Sequence, residues 1–261
     1  MSVVQPSTKP VIVYPESVVN SSASLQLSCP EAHPTIHVIR AGCLPYDDAW
    51  LWQRDLARQR SAGSLSDTLL LLEHPHTYTL GRSSNPGHLL ADPLMLAAQG
   101  VIVREVDRGG DITYHGPGQI VGYPILKLSR YGGDVLRYLR MLEETIITAL
   151  ASYGIAAGRV ACLTGVWAGQ EKIAAIGVKL SAGGVTMHGL ALNVATDMRY
   201  FQQIIPCGIA GRSVTSLERL LGAAPPHAEV EQRMAAAFGQ VFEVETIFAT
   251  PVEQSAANMV H

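Results

Sequence analysis

Four short stretches hold the residues whose types and spacing could do chemistry. In "IIPCGIAGRSVTSL", Cys207 sits between Pro206 and Gly208, in what must be a loop. Most cysteines are inert buried hydrophobes. A loop cysteine followed by glycine differs, because its thiol can be reached and the next backbone N–H groups can face a reacting carbonyl. In "EKIAAIGVKL", Lys172 opens a strand-like run in which Lys172, Ala174 and Ile176 share one face and Ile173, Ala175 and Gly177 the other. A lysine at a strand start is ordinarily solvated, but the small residues after it leave room for something to lie close. In "MHGLALN", His188 stands directly before Gly189, a polar side chain beside bare backbone.

The fourth stretch is Arg108–Gln119, "RGGDITYHGPGQ". It lacks both GxxxxGK[ST] and GxGxxG, so it is not a standard phosphate cradle. Gly109 and Gly110 would let backbone approach a ligand with no Cβ between them. Pro117 and Gly118 fit the two central positions of a type II turn, whose second residue needs φ > 0. The plain alternative is a decorated β-turn, though Arg108, Thr113 and His115 make that reading less comfortable. Of the other cysteines, Cys162 falls within the strand-like "VACLTGVW" and reads as an inert core thiol, while Cys29 and Cys43 receive no role.

Regular elements must position these residues. "YDDAWLWQRDLARQR" reads as a helix capped by Asp47 or Asp48, with Ala49, Trp52 and Leu56 along one face. "DTLLLLEHP", "TYTLGR" and "VIVREVD" read as strands, with the short helix "PLMLAAQG" before the last of them. The clearest helix follows Asp134 as its cap, with an apolar stripe of Val135, Leu139, Leu142, Ile146 and Leu150 and a stop at Gly154. Then come "VACLTGVWAG", "KIAAIGVKLS" and "VTMHGLALNV", three strands joined by short turns into a meander, and a last helix in "AEVEQRMAAAFGQVF". Intermixed helices and strands with hairpins give an α+β fold around a mixed sheet. Residues 1–35 read as a flexible extension, 36–248 as one domain and 249–261 as a loose tail.

The bulk numbers exclude more than they assert. With 261 residues, 48% hydrophobic and 16% charged, the chain can bury a substantial core without staples. A net charge of −3 gives no global pull toward nucleic acid or an anionic membrane, and no apolar run approaches the roughly 20 residues of a span. Four cysteines fit no zinc or redox spacing, so thiols in a reducing compartment are expected, and no secretory signal is read: the expectation is a cytoplasmic protein.

Taken in order and in register, "LLLLEHPHTYTLGR", "RGGDITYHGPGQIVGYPI", "KIAAIG", "HGLALN" and "PCGIAGRSVTSL" resemble the lipoyl(octanoyl) transferases of the lipoate pathway, from about residue 36 to about 245. The resemblance implies a fold akin to the biotin and lipoate protein ligases. It implies transfer of octanoyl (or lipoyl) from acyl carrier protein to a lysine of lipoyl domains, whether those of 2-oxoacid dehydrogenase subunits or of the glycine cleavage H protein, as the first step of endogenous protein lipoylation. By motif match, Cys207 would carry the acyl thioester and Lys172 would be its partner. Arg108, Gly109, Gly110, Asp111, Ile112, Thr113, Tyr114 and His115 would line the acyl site, with Ala175, Ile176 and Gly177 and with His188, Gly189 and Leu190. No metal and no cofactor is expected, since a thioester is already activated. The alternatives are an ATP-dependent lipoate–protein ligase on the same fold, or a non-catalytic protein that binds lipoyl domains. An acidic carrier would need a local basic patch, for which Lys127, Arg130, Arg137 and Arg140 are the candidates.

Overall fold

A computed structural model of the protein describes residues 34–205 and 213–249. In chain order the elements are β1 (Thr35–Cys43), α1 (Tyr46–Ala62), β2 (Thr68–Glu73), β3 (Thr77–Leu80), α2 (Pro93–Ala98), β4 (Ile102–Glu105), β5 (Ile112–His115), β6 (Gln119–Ile125), α3 (Val135–Ala151), β7 (Gly158–Val160), β8 (Leu163–Ala168), β9 (Glu171–Leu180), β10 (Thr186–Asn193), α4 (Leu217–Leu221), α5 (His227–Phe242) and β11 (Glu245–Phe248). Eight strands form one sheet in the order β11-β1-β2-β6-β10-β9-β8-β7, and β4-β3-β5 form a second. β1 runs parallel to β11 and β2, and the other neighbours in the large sheet are antiparallel. The expected mixed sheet and the β8-β9-β10 meander are both present.

The sequence of β2 explains its place. "TLLLLE" is apolar at every central position, which suits a strand covered on both faces. With a side-chain period of two, Leu69 and Leu71 enter the core under α3 and α5, while Leu70 and Leu72 enter the core under α1. The extensions beyond 34 and 249 and the segment 206–212, which holds Cys207, lie outside the described residues.

Local chemistry departs from expectation at three points. α1 is capped by Pro45 without a side-chain hydrogen bond; Asp47 and Asp48 lie in its first turn, where their charge still favours the helix dipole. In α3, Asp134 does accept from Leu136 N–H at 2.8 Å, but the buried stripe starts at Tyr138 and Val135 stays 38% exposed. The expected single strand around Cys162 breaks into the β7–β8 hairpin. Cys162 is exposed with φ 63° and is not a core thiol, because the tight connection takes up a left-handed residue there.

The Pro117–Gly118 turn is built as expected: Gln119 N–H donates to Gly116 O at 3.1 Å and Gly118 has φ 80°. Its effect is topological. It carries the chain from β5 in the small sheet to β6 in the large one. Gly109 N–H, in the loop before β5, also donates to Val178 O of β9 at 2.9 Å. The glycine-rich stretch therefore lies along the seam between the sheets.

Candidate active site

A pocket opens at this seam. α1 gives Tyr46, β6 gives Tyr123, β9 gives Ala175, Ile176 and Gly177, and β10 gives His188, Gly189, Leu190 and Ala191. The loop and strand β5 give Arg108, Gly110, Asp111, Ile112, Thr113 and His115. Two of the expected wall residues are absent from it. Gly109 spends its N–H on Val178 O. Tyr114 is fully buried on the far face of β5, stacked on Tyr200 at 4.7 Å with its hydroxyl 2.6 Å from His76 Nδ1. Period-two alternation sends Tyr114 opposite to Thr113 and His115.

The glycine at 177 lets the wall pack closely. A Cβ there would stand 3.0 Å from Gly109 O and 3.1 Å from Arg108 Cδ. Arg108 is 7% exposed, and its guanidinium donates to Thr79 O at 2.7 Å, Thr79 Oγ1 at 2.9 Å and Gly109 O at 3.0 Å. It therefore braces the wall with its own backbone. Asp111 pins the mouth: it accepts from Ile112 N–H and Asn85 N–H and lies 2.5 Å from His88 Nδ1.

His188 adopts φ 56°, a conformation more accessible to histidine than to most residues but still costly. Its Nε2 is 2.8 Å from Asp107 Oδ1 and its Nδ1 is 3.4 Å from the Tyr46 hydroxyl. Burial pushes it down to about 4 despite the hydrogen bond to Asp107. Burial would raise Asp107, but hydrogen bonds from Lys179 and His188 outweigh it and hold the carboxyl near 2. The imidazole is thus neutral near pH 7, with its Nε2–H donating to a carboxylate.

Lys172, at the start of β9, is 7% exposed and does not line the pocket. Its N–H donates to Ser213 O at 3.0 Å, and Thr215 N–H donates to its carbonyl at 3.0 Å. A parallel bridge to Val214 lies between these two bonds. Its stem crosses Gly165, and its Nζ is 5.7 Å from the centre of the Trp167 ring. Ile205, two residues before Cys207, donates its N–H to His88 O at 2.8 Å, and Ser213 follows six residues after it. The chain therefore leaves for Cys207 beside the pocket-mouth loop and returns onto Lys172.

Sequence reading missed Tyr46, Tyr123 and Ala191 in the pocket wall and Gly165 beneath Lys172. Gly165 had a signal, a lone glycine inside a strand pattern. Tyr123 sits in an apolar run and Tyr46 beside two aspartates at a helix start, and neither had one. Of the four basic candidates for carrier docking, three are occupied within the chain: Lys127 by Gly183 O, Arg130 by Asp67 and Arg140 by Glu143.

Residues 45–239 match the family model described as the lipoyl protein ligase A/B catalytic domain. The chain is 56% identical over 217 residues to an octanoyltransferase of Chloroflexus aggregans, covering 82% of this chain and 98% of the relative. It is 58% identical over 213 residues to an octanoyltransferase of Chloroflexus aurantiacus, covering 81% and 95%. Among solved structures it resembles lipoate-protein ligase A bound with ATP, with a TM-score of 0.64 at 15% identity over 87% of this chain and 92% of that one. It also resembles a structure of a bi-partite lipoate protein ligase and its E2 lipoyl domain from Thermoplasma acidophilum, with a TM-score of 0.65 at 15% identity over 87% and 91%. These two likenesses establish the lipoate-ligase fold.

Proposed function

The chain belongs to the lipoyl protein ligase A/B catalytic-domain family, and we propose that it is an octanoyltransferase that carries its acyl group on Cys207. The donor is octanoyl-acyl carrier protein and the acceptor a lysine of a lipoyl domain. In the first step the Cys207 thiolate attacks the donor's thioester carbonyl; a new C–S bond forms, the old one breaks, and the carrier's thiolate leaves and takes a proton from the Lys172 ammonium. In the second step the acceptor's neutral amine attacks, the now neutral Lys172 takes its proton, an amide forms as the C–S bond breaks, and the Cys207 thiolate is released beside the restored ammonium. Exchange of one thioester for another is nearly isoenergetic, so no nucleotide is consumed.

The observation that carries this reading is the pairing of Lys172 with Ser213 and Thr215, directly after the Cys207 segment and on the strand that supplies the pocket wall at Ala175–Gly177. A thiol of ordinary pKa, about 8.5, needs about 2 kcal/mol to be half ionised at pH 7. A lysine ammonium about 4 Å away supplies up to about 4 kcal/mol at an effective dielectric of about 20. Lys172 alone could therefore activate the nucleophile. His188 is the weaker candidate for taking the acceptor's proton, since burial holds it near pKa 4 and Asp107 occupies its Nε2. Lys172 is the better one. The apolar pocket accommodates the acyl tail, with Tyr46 and Tyr123 added to the walls expected from sequence. Identity near 57% to octanoyltransferases, against 15% to ligases, favours transfer over ATP-dependent ligation.

The test is intact-protein mass spectrometry after mixing with octanoyl-acyl carrier protein and no ATP. The expected result is one octanoyl group per chain, removed by hydroxylamine, mapped to Cys207 and passed on to a lipoyl domain. Transfer by a Cys207→Ala variant, or a strict need for ATP, overturns the proposal.

A further inference from the structure

A single directed chain of buried hydrogen bonds runs from the pocket wall to the backbone of Lys172. Arg108 can only donate, so the Thr79 hydroxyl accepts from it at 2.9 Å and keeps its own hydrogen. That hydrogen points to His115 Nε2, 3.4 Å away. His115 Nδ1–H then donates to Gln119 Oε1 at 2.9 Å. This fixes the Gln119 amide, whose Nε2 donates to Asn193 Oδ1 at 2.9 Å and to Tyr114 O at 3.1 Å. It fixes Asn193 in turn, whose Nδ2 donates to Thr215 O at 3.0 Å. Thr215 N–H closes the chain on Lys172 O at 3.0 Å. Every side chain in it is at most 8% exposed, so no link has water as a ready substitute.

Asn193 is the member that reaches from the sheet to the segment over Lys172. It pairs in register with Gln119 at the end of β10, where β6 begins. Nothing in its own position touches the pocket. Its amide ties Gln119 to the Thr215 carbonyl, and Thr215 is one of the two residues that bond the Lys172 backbone.

We infer that Asn193 is a positioning residue for acyl transfer, holding Thr215 so that Lys172 is presented to the nucleophile. This rests on the assignment of Cys207 and Lys172 above. In the absence of Asn193 the Thr215 carbonyl loses the side-chain donor it has among the described residues.

The experiment compares wild type, Lys172→Ala, Asn193→Ala, Asn193→Leu and the double variant Asn193→Ala/Lys172→Ala. Leu keeps the branched skeleton of Asn, leaves no cavity and cannot donate, so it serves where the cavity left by Ala lowers the melting temperature. Two readouts are taken: steady-state transfer of octanoyl from acyl carrier protein, and the rate of Cys207 alkylation by iodoacetamide against pH. The expected result is a fall in kcat on the order of tenfold, the equivalent of one buried hydrogen bond, with KM for the donor within about twofold. The alkylation profile should shift to higher pH in both Asn193 variants, and the double variant should match Lys172→Ala alone. A shift in Lys172→Ala with none in the Asn193 variants overturns the Asn193 inference. An unchanged profile in Lys172→Ala overturns the Lys172 assignment itself. A raised KM with unchanged kcat would place Asn193 in substrate binding and sink the positioning role.

Discussion

The Lys172 side chain lies directly across the backbone of Gly165: a Cβ at Gly165 would stand 2.5 Å from Lys172 Cε and 3.2 Å from Nζ. A Cβ there would also stand 2.6 Å from the backbone oxygen of Ala174 on β9, so three requirements coincide at this glycine. Its φ of 121° lies where L side chains are strained, and its empty face is where the lysine stem runs. Its N–H also donates to the fully buried Glu143 carboxylate at 3.1 Å, which fixes β8 beneath the lysine.

Gly165→Ala should therefore displace Lys172 and slow acyl loading by at least tenfold, while costing on the order of 1–3 kcal/mol of stability for the strained backbone. Gly169→Ala is the control. Gly169 also has positive φ, at 60°, but a Cβ there meets nothing within 4 Å. Stopped-flow loading and melting curves of both variants separate the effects. Equal loading rates in the two would show that the Gly165–Lys172 contact does not matter to the reaction.

Lys172→Arg separates the lysine's two duties. A guanidinium can still favour a thiolate, but it cannot give up a proton near neutral pH. Loading should stay within a few-fold of wild type if the larger head fits over Gly165, while transfer to the lipoyl domain slows by a hundredfold or more. Single-turnover measurement of each half-reaction decides it. Slow loading with normal transfer of a preloaded acyl group would assign Lys172 to the first step alone.

The sequence made the large sheet, the meander and most of the pocket wall legible, because buried strands carry their pattern locally: "TLLLLE" reads as two-sided burial and "ITYH" as alternation. Relations that depend on distant pairing were not legible. No local signal brings Tyr46 on α1 to within 5.9 Å of the His115 ring, or Asn193 to Thr215. Cys162 was misread for a local reason. A strand pattern interrupted by one residue in the left-handed region looks continuous when that residue is apolar and not glycine. Tyr114 and Gly109 were placed in the wall because they lie inside the motif. The alternation of β5 and one backbone bond to Val178 remove them from it.

The buried imidazoles set the acid limit of the fold. Burial lowers His74 to about 4 and His188 to about 4, and lowers His115 well below 6.5. An unfolded chain would bind protons at these sites from about pH 6.5 downward, so stability is full above that pH and is lost as pH falls toward 4. Each of His74 and His188 accounts for on the order of 3 kcal/mol across that window. Asp107, held near 2, adds loss in the same direction at still lower pH. Denaturant midpoints measured from pH 7.5 to 4.5 should fall steadily, with most of the fall below pH 6. A flat profile would contradict the assignment of these histidines as buried and neutral.

His115 is expected to matter for folding as well as turnover, because it is a link in a buried chain and both of its ring nitrogens are engaged, with Gln119 and Thr79. His115→Ala should lower the melting temperature by several degrees, as a cavity plus two unsatisfied partners demands. His115→Gln, which can still bond one of those partners, should recover part of the loss. Normal stability in His115→Ala with reduced turnover would instead make His115 a substrate contact.

The cysteines offer the most direct discrimination. Cys162 is exposed at a hairpin turn. Cys43 is also exposed, and burial of part of its surface and the nearby Glu73 push its thiol up. Exposure alone would thus make Cys162 the reactive thiol, and if reactivity followed access it would be alkylated first. Activation by Lys172 gives the opposite order, since reactivity follows the thiolate fraction. At pH 7 Cys207 should react with iodoacetamide at least tenfold faster than Cys162, with Cys43 slowest, and preloading with octanoyl should protect Cys207 alone. Cys207→Ala should abolish both acyl-enzyme and transfer; Cys162→Ala should leave both intact. Peptide mapping of a time course reads Cys43, Cys162 and Cys207 in one experiment. Cys162 reacting first, or octanoyl protecting it, would move the nucleophile away from Cys207 and undo the mechanism built on it.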